Sequence, residues 1–482
     1  MRLHHLLALI LLVVPAALAE GLPELGEVSQ AGFSSSQERQ LGESIMREIR
    51  ADPSYYDDAE ATDYINKLGN RLVTRGSDTR QDFEFFLIQD NQINAFALPG
   101  GFIGVNTGLL LSAQGESEVA SVLAHEIAHV TQHHIARLIT QQKQSQLMSL
   151  AALAVAILAA RSNSDVAGAA SAFGQAGVIQ SQLNFTRSNE QEADRIGLQI
   201  LERSGYDPHA MPTFFERMQR ATRLSEGGAP SYLRTHPLTY ERIADAQNRV
   251  QSLPYRQVPD SLEFQLIRAK LKASSDSPRE TLEFFEQSLG ERKFLSEVAS
   301  RYGLVVSLLR TKDYARAKKE LDALRKLGRA NPIIDTLACK VKIAAGEAEA
   351  AFVCFREALK AYPNYRALVY DYADALLQNR QPQLALKLVE DRLQYVTEDY
   401  RLYLLQARSY AMLDKQLAQH RAQGEAYARM GNIPAAVEQL QLAVKSGDGD
   451  FYQLSAAEAR LRELRRKNDE LRKEAGKGAD KR

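Results

Sequence analysis

Within Val122-Leu123-Ala124-His125-Glu126-Ile127-Ala128-His129-Val130, two histidines flank one helical turn on an otherwise apolar background. On a helix this spacing brings His125 and His129 back to one face, where two imidazoles can grip one cation. Glu126 stands one residue off that face and can address a cation-bound water without taking a coordination position. Zinc-assisted hydrolysis needs that division: imidazoles hold the ion, the ion acidifies water, and a carboxylate removes the proton. Two histidines leave the site incomplete, so a third ligand has to come from downstream.

Arg187-Ser188-Asn189-Glu190-Gln191-Glu192-Ala193-Asp194 offers it. Ser188 with Gln191 reads as a capping box and Gly205 as a helix stop, and a helix between them puts Glu190 and Asp194 on one face. Glu190 is the expected ligand and Asp194 the expected hydrogen-bond partner of a ligating imidazole, while Glu192 points elsewhere. A solvated acidic first turn, favoured by the helix dipole, is the alternative. His133 could share the His129 face and His134 does not; a zinc site rarely takes three ligands from one helix, so these extra histidines read as supporting or solvated groups.

These residues need elements to hold them. Apolar spacing predicts helices over Gln37 to Arg50 and Asp57 to Val73, and Asp82 to Gln89 reads as a strand. From Asn94 a turn leads into an alternating strand, Phe102, Ile103, Gly104, Val105 and Asn106. Pro99 and two glycines favour an edge strand there, which could bind an extended substrate peptide or simply pair within the fold. The helix carrying His125 is expected to run from about Gly115 to Ile139. The apolar run Leu147 to Ala160 is too short to cross a bilayer comfortably, and with the small-residue stretch Ala167 to Gly177 it makes a candidate gate.

The 482-residue chain has 45% hydrophobic and 25% charged residues, with Lys plus Arg and Asp plus Glu at 60 each. That balance gives no basic excess for nucleic acid and no acidic excess for disorder. Arg2, the apolar run Leu6 to Val14 and Ala17-Leu18-Ala19 read as an export signal, residues 1–19, cleaved near Ala19. Export leads to an oxidising space, where Cys339 and Cys354 could pair or remain buried thiols. Ala317, Ala351 and Ala385 recur at the 34-residue tetratricopeptide period. Asp313 to Ala317, Gly346 to Ala351 and Gly431 to Ala436 carry copies of that repeat, the last displaced by an extra helix, and residues 261–292 look like a weaker leading copy. The expected organisation is a mainly α chain with a small β-sheet: a zincin-like peptidase domain over 20–260, an α-solenoid over 261–453, and a charged helical tail over 454–482.

His125-Glu126-Ile127-Ala128-His129, Asn94 to Leu110 and Arg187 to Asp194 together resemble the zincin metallopeptidases that include the CAAX prenyl protease and the membrane protease HtpX. The resemblance implies one zinc ion per chain on His125, His129 and Glu190, with Glu126 as general base and Asp194 supporting from behind. Relatives also carry a His-Pro near Thr235-His236-Pro237-Leu238. His236 could stabilise the oxyanion, occupy the open zinc position as an inhibitory ligand, or only anchor its loop. With the export signal and repeats, the resemblance implies a periplasmic endopeptidase. Its expected substrates are misfolded or stalled outer-membrane proteins, and its repeats would dock the β-barrel assembly machinery, with peripheral contact to the outer membrane. The contending reading is a periplasmic chaperone or scaffold with a structural or silent zinc, against which an intact Glu126 speaks.

Overall fold

The computed structural model describes residues 34–76, 81–141, 187–224, 231–328 and 330–479. The expected signal segment and the gate between Leu147 and Gly177 lie outside them. Helix α1 (Ser35–Ala51) starts on a capping box in which Ser34 and Gln37 satisfy each other's backbone amides. Helix α2 (Ala59–Gly76) buries Ile65, Leu68 and Leu72 along one stripe, as their spacing predicts.

Three strands follow: β1 (Glu84–Ile88), β2 (Ala95–Leu98) and β3 (Phe102–Asn106). The sheet order is β1-β3-β2, with β3 parallel to β1 and antiparallel to β2. Phe102, Ile103, Gly104, Val105 and Asn106 therefore form the central strand, buried throughout, and cannot present the edge expected of them. The reason lies just upstream. Pro99–Gly101 make a tight 3-10 turn with Gly100 and Gly101 at φ 78° and 87°, so the breakers reverse the chain before β3 begins. The segment read as a turn contains β2, the partner that covers β3.

The sheet is packed on both faces. Phe86, Phe96 and Phe102 meet Ile45, Met46 and Ile49 of α1. On the other face Leu87, Ile103 and Val105 join the main core with Leu68, Leu123, Ile127 and Leu201. After a short α3 (Thr107–Ser112) come α4 (Glu116–Thr131), α5 (His134–Gln141), α6 (Arg187–Arg203), α7 (Ala210–Leu224), α8 (Ser231–Thr235) and α9 (Tyr240–Gln251). The stop expected after α6 is there, with Gly205 at φ 80°.

From Leu262 the described chain is a succession of antiparallel helices: α10 (Leu262–Ser275), α11 (Pro278–Gly290), α12 (Glu297–Arg310), α13 (Tyr314–Lys326), α14 (Pro332–Ala344), α15 (Ala348–Ala361), α16 (Arg366–Gln378) and α17 (Pro382–Leu393). Then come α18 (Tyr400–Ala411), α19 (Gln416–Arg429), α20 (Ile433–Lys445) and the long α21 (Phe451–Ala479). Ala317, Ala351 and Ala385 are fully buried in α13, α15 and α17, where a methyl group lets paired helices approach. Two helices, α18 and α19, stand between α17 and α20 where the earlier copies have one, and this displaces the last repeat copy. Cys339 and Cys354, on the facing helices α14 and α15, form a disulfide.

Candidate metal centre

Helix α4 is buried over nearly its whole length. Its N-terminus has no side-chain cap of its own, and Asp260, just before α10, accepts the Glu116 amide at 2.7 Å. Glu116 in turn accepts from the Ser261 amide and hydroxyl, both at 2.9 Å, so the starts of α4 and α10 are stitched together. This fixes α4 lengthwise, and His125 and His129 project from it into the interior at 1% and 0% exposure.

Across from them α6 contributes Glu190, and the turn after α8 contributes His236. One ligand-capable atom from each of His125, His129, Glu190 and His236 lies within 4.8 Å of the others. The Nε2 atoms of His125 and His129 are 3.0 Å apart, and Glu190 Oε1 is 3.4 Å from His129 Nε2 and 3.0 Å from His236 Nδ1. Glu126 lies beside the cluster, fully buried. The His236 ring (Nε2 at 3.4 Å) and the Ala97 backbone approach its carboxylate, yet neither oxygen has a well-directed hydrogen bond. A buried, unbonded carboxylate is costly unless it has a task.

Behind these groups stands a second layer. Asp194 Oδ1 is 3.0 Å from His125 Nδ1, although off the N–H direction. Arg242 donates to both Asp194 oxygens at 2.7 and 2.8 Å and lies 2.7 Å from Glu190 Oε2. On the other side His134 Nδ1 is 2.8 Å from His129 Nδ1, and His134 Nε2 is 3.0 Å from Glu192 Oε2.

The electrostatics act oppositely on the two helix histidines. Burial opposes protonation of His125, but Asp194 and Glu190 outweigh it and raise its pKa to about 9. Burial holds His129 well below its ordinary value. Burial would raise Glu190, yet the surrounding histidines pull it well below the carboxylate range. Glu126 is pushed up, chiefly by burial.

The fold thus brings together His125, His129, Glu190, Glu126, Asp194 and His236, all singled out in the sequence, while Phe102 to Asn106 lie in the sheet interior. Sequence reasoning missed Arg242, and it left His134 as a supporting or solvated histidine without naming the residue it supports. Arg242 follows Thr239, the N-cap of α9, but nothing local says that it reaches α6. On one continuous helix His134 would turn away from the His129 face. Helix α4 instead ends at Thr131, and His133 at φ 51° redirects the chain so that His134 folds back on His129. Glu192 does point away from the cluster, and its carboxylate meets His134 at the protein surface.

A profile described as "Peptidase family M48" matches residues 59–250. The beta-barrel assembly-enhancing protease of Escherichia coli (strain K12) is 33% identical over 453 residues, 93% of this chain and 92% of that protein. The Yersinia pestis protein of the same description is 32% identical over 457 residues, 94% of this chain and 93% of that one. The mitochondrial metalloendopeptidase OMA1 of Schizosaccharomyces pombe is 31% identical over 213 residues, 43% of this chain and 59% of that protein. Among solved structures, the tetratricopeptide protein YrrB covers 41% of this chain and 92% of its own, with 16% identity and a TM-score of 0.23.

Proposed function

The chain belongs to peptidase family M48 and, within it, to the β-barrel assembly-enhancing proteases, and from that premise we propose an exported, periplasmic zinc endopeptidase that cuts misfolded or stalled outer-membrane proteins. The observation that carries this reading is the convergence of His125, His129, Glu190 and His236 beside the unbonded carboxylate of Glu126. Buried imidazoles with one carboxylate, braced from behind, suit zinc. His125, His129 and Glu190 would hold one ion per chain, which when bound supplies an acidified water and a polarised peptide carbonyl.

The rest of the chemistry falls to the chain's own groups. Glu126 takes a proton from water as the water oxygen bonds to the carbonyl carbon. It passes that proton to the amide nitrogen as the C–N bond breaks. Burial strengthens its hold on a proton between the two transfers. Asp194 orients His125, and Arg242 fixes Asp194 and Glu190 together. The edge available to an extended peptide is β2, whose Ala97 backbone approaches Glu126; among the described residues only β3 pairs with it. We assign residues 20–260 to the peptidase, 261–453 to repeats that dock the β-barrel assembly machinery, and 454–482 to the charged tail.

For His236 we favour the inhibitory role, because its ring already sits among the ligand atoms, 3.4 Å from His125 Nε2. The test is cleavage of an unfolded outer-membrane β-barrel protein. Chelation should abolish it and zinc should restore it, whereas cleavage that survives chelation removes the metal from the account. In the same assay His236→Ala should cleave several-fold faster, and a slower variant would reassign His236 to the oxyanion.

A further inference from the structure

We propose that His134 and Glu192 form a hydrogen-bonded strut that fixes which nitrogen of His129 faces the metal position. The proposal rests on the zinc reading above and deepens it. His129 Nε2 points into the cluster, 3.0 Å from His125 Nε2 and 3.4 Å from Glu190 Oε1. Its other nitrogen, Nδ1, lies 2.8 Å from His134 Nδ1, and His134 Nε2 lies 3.0 Å from Glu192 Oε2, which also accepts from Arg137 at 3.2 Å.

With both imidazoles neutral, one arrangement of protons satisfies every contact along this path. The ionised Glu192 can only accept, so His134 donates from Nε2–H and keeps a lone pair on Nδ1. That lone pair accepts from His129 Nδ1–H, which turns the His129 Nε2 lone pair toward the cluster, where a cation would bind. The opposite tautomer of His129 would aim a hydrogen at the cation and set two lone pairs against each other at 2.8 Å. Both imidazoles are 0% exposed, so no bulk water substitutes for either partner.

The strut has a counterpart on the other ligand, where Asp194 backs His125 directly. Helix α6 therefore supplies three acids with separate tasks: Glu190 in the cluster, Asp194 behind His125, and Glu192 behind His129 through an interposed imidazole. The bend at His133 is what inserts that imidazole. Groups that orient a ligating imidazole contribute roughly 10–100-fold to metal affinity.

The experiment measures the zinc dissociation constant of the full-length chain by competition with a chromogenic chelator. His134→Leu should weaken zinc binding by roughly 10–100-fold. His134→Gln should recover most of it, because its amide oxygen can accept from His129 while its NH2 donates to Glu192. Glu192→Ala, at a side chain 39% exposed, keeps the test alive if the leucine variant does not fold, and should weaken binding about fivefold or more. A folded His134→Leu or Glu192→Ala with zinc affinity within about twofold of the unaltered chain overturns the proposal and spares the ligand assignment. Failure of the unaltered chain to bind zinc overturns both. 15N-histidine spectra of the zinc-loaded chain should find the proton of His129 on Nδ1, and a proton on Nε2 contradicts the strut.

Discussion

Arg242 balances the charge of the buried centre. It lies 2% exposed with Asp194 and Glu190 as its partners, so Arg242→Ala leaves two buried carboxylates without their cation, at a cost of about 3 kcal/mol or more. Arg242→Lys cannot reproduce the two-point contact with Asp194. The same pair sets a pH dependence. Burial acts to raise Asp194, but Arg242 outweighs it and holds the carboxyl below its ordinary value. A depressed folded pKa contributes stability that is full above the unfolded value, about 3.9, and is lost as pH falls through the folded one. Urea denaturation of the metal-free chain between about pH 5 and 3 should therefore fall less steeply in Asp194→Asn, and parallel slopes would contradict the assignment. Residues were legible in the sequence where chemistry follows one helix, as with His125, His129, Glu190 and Asp194. Arg242 and His134 act across elements, and no local spacing encodes that.

At the scale of elements, the central strand depends on Gly104. A Cβ there would lie 2.4 Å from Phe96 Cζ and 2.8 Å from Phe86 Cζ, so the two rings occupy the space that a side chain on β3 would need. Gly104→Ala should cost about 1–3 kcal/mol in chemical denaturation, and a neutral result would show that the rings can move aside. The absence of a side chain at Gly104 thus lets aromatic neighbours close over an internal strand. Strand existence was readable from β-branched and aromatic content; strand order was not, because it depends on which segment comes to lie beside β3. The helices were largely legible from periodicity and stops such as Gly205. The break at His133 was hidden because non-glycine residues seldom take positive φ.

Across the whole molecule the repeats grip the peptidase through the acidic start of α2. Lys270 reaches Asp58 at 2.6 Å and Glu60 at 2.7 Å, Arg366 pairs with Asp63, and Arg401 pairs with Asp57. The 34-residue alanine spacing revealed the solenoid, but these cross-contacts link residues hundreds of positions apart and leave no periodic trace. In the proposed mechanism one carboxylate moves the proton and the others hold the frame. Glu126→Gln, assayed for zinc content and for cleavage of an unfolded outer-membrane β-barrel protein, tests that most directly. The expected result is one zinc per chain, retained substrate binding and cleavage reduced at least about a hundredfold. Cleavage at the unaltered rate by the zinc-loaded variant would contradict it.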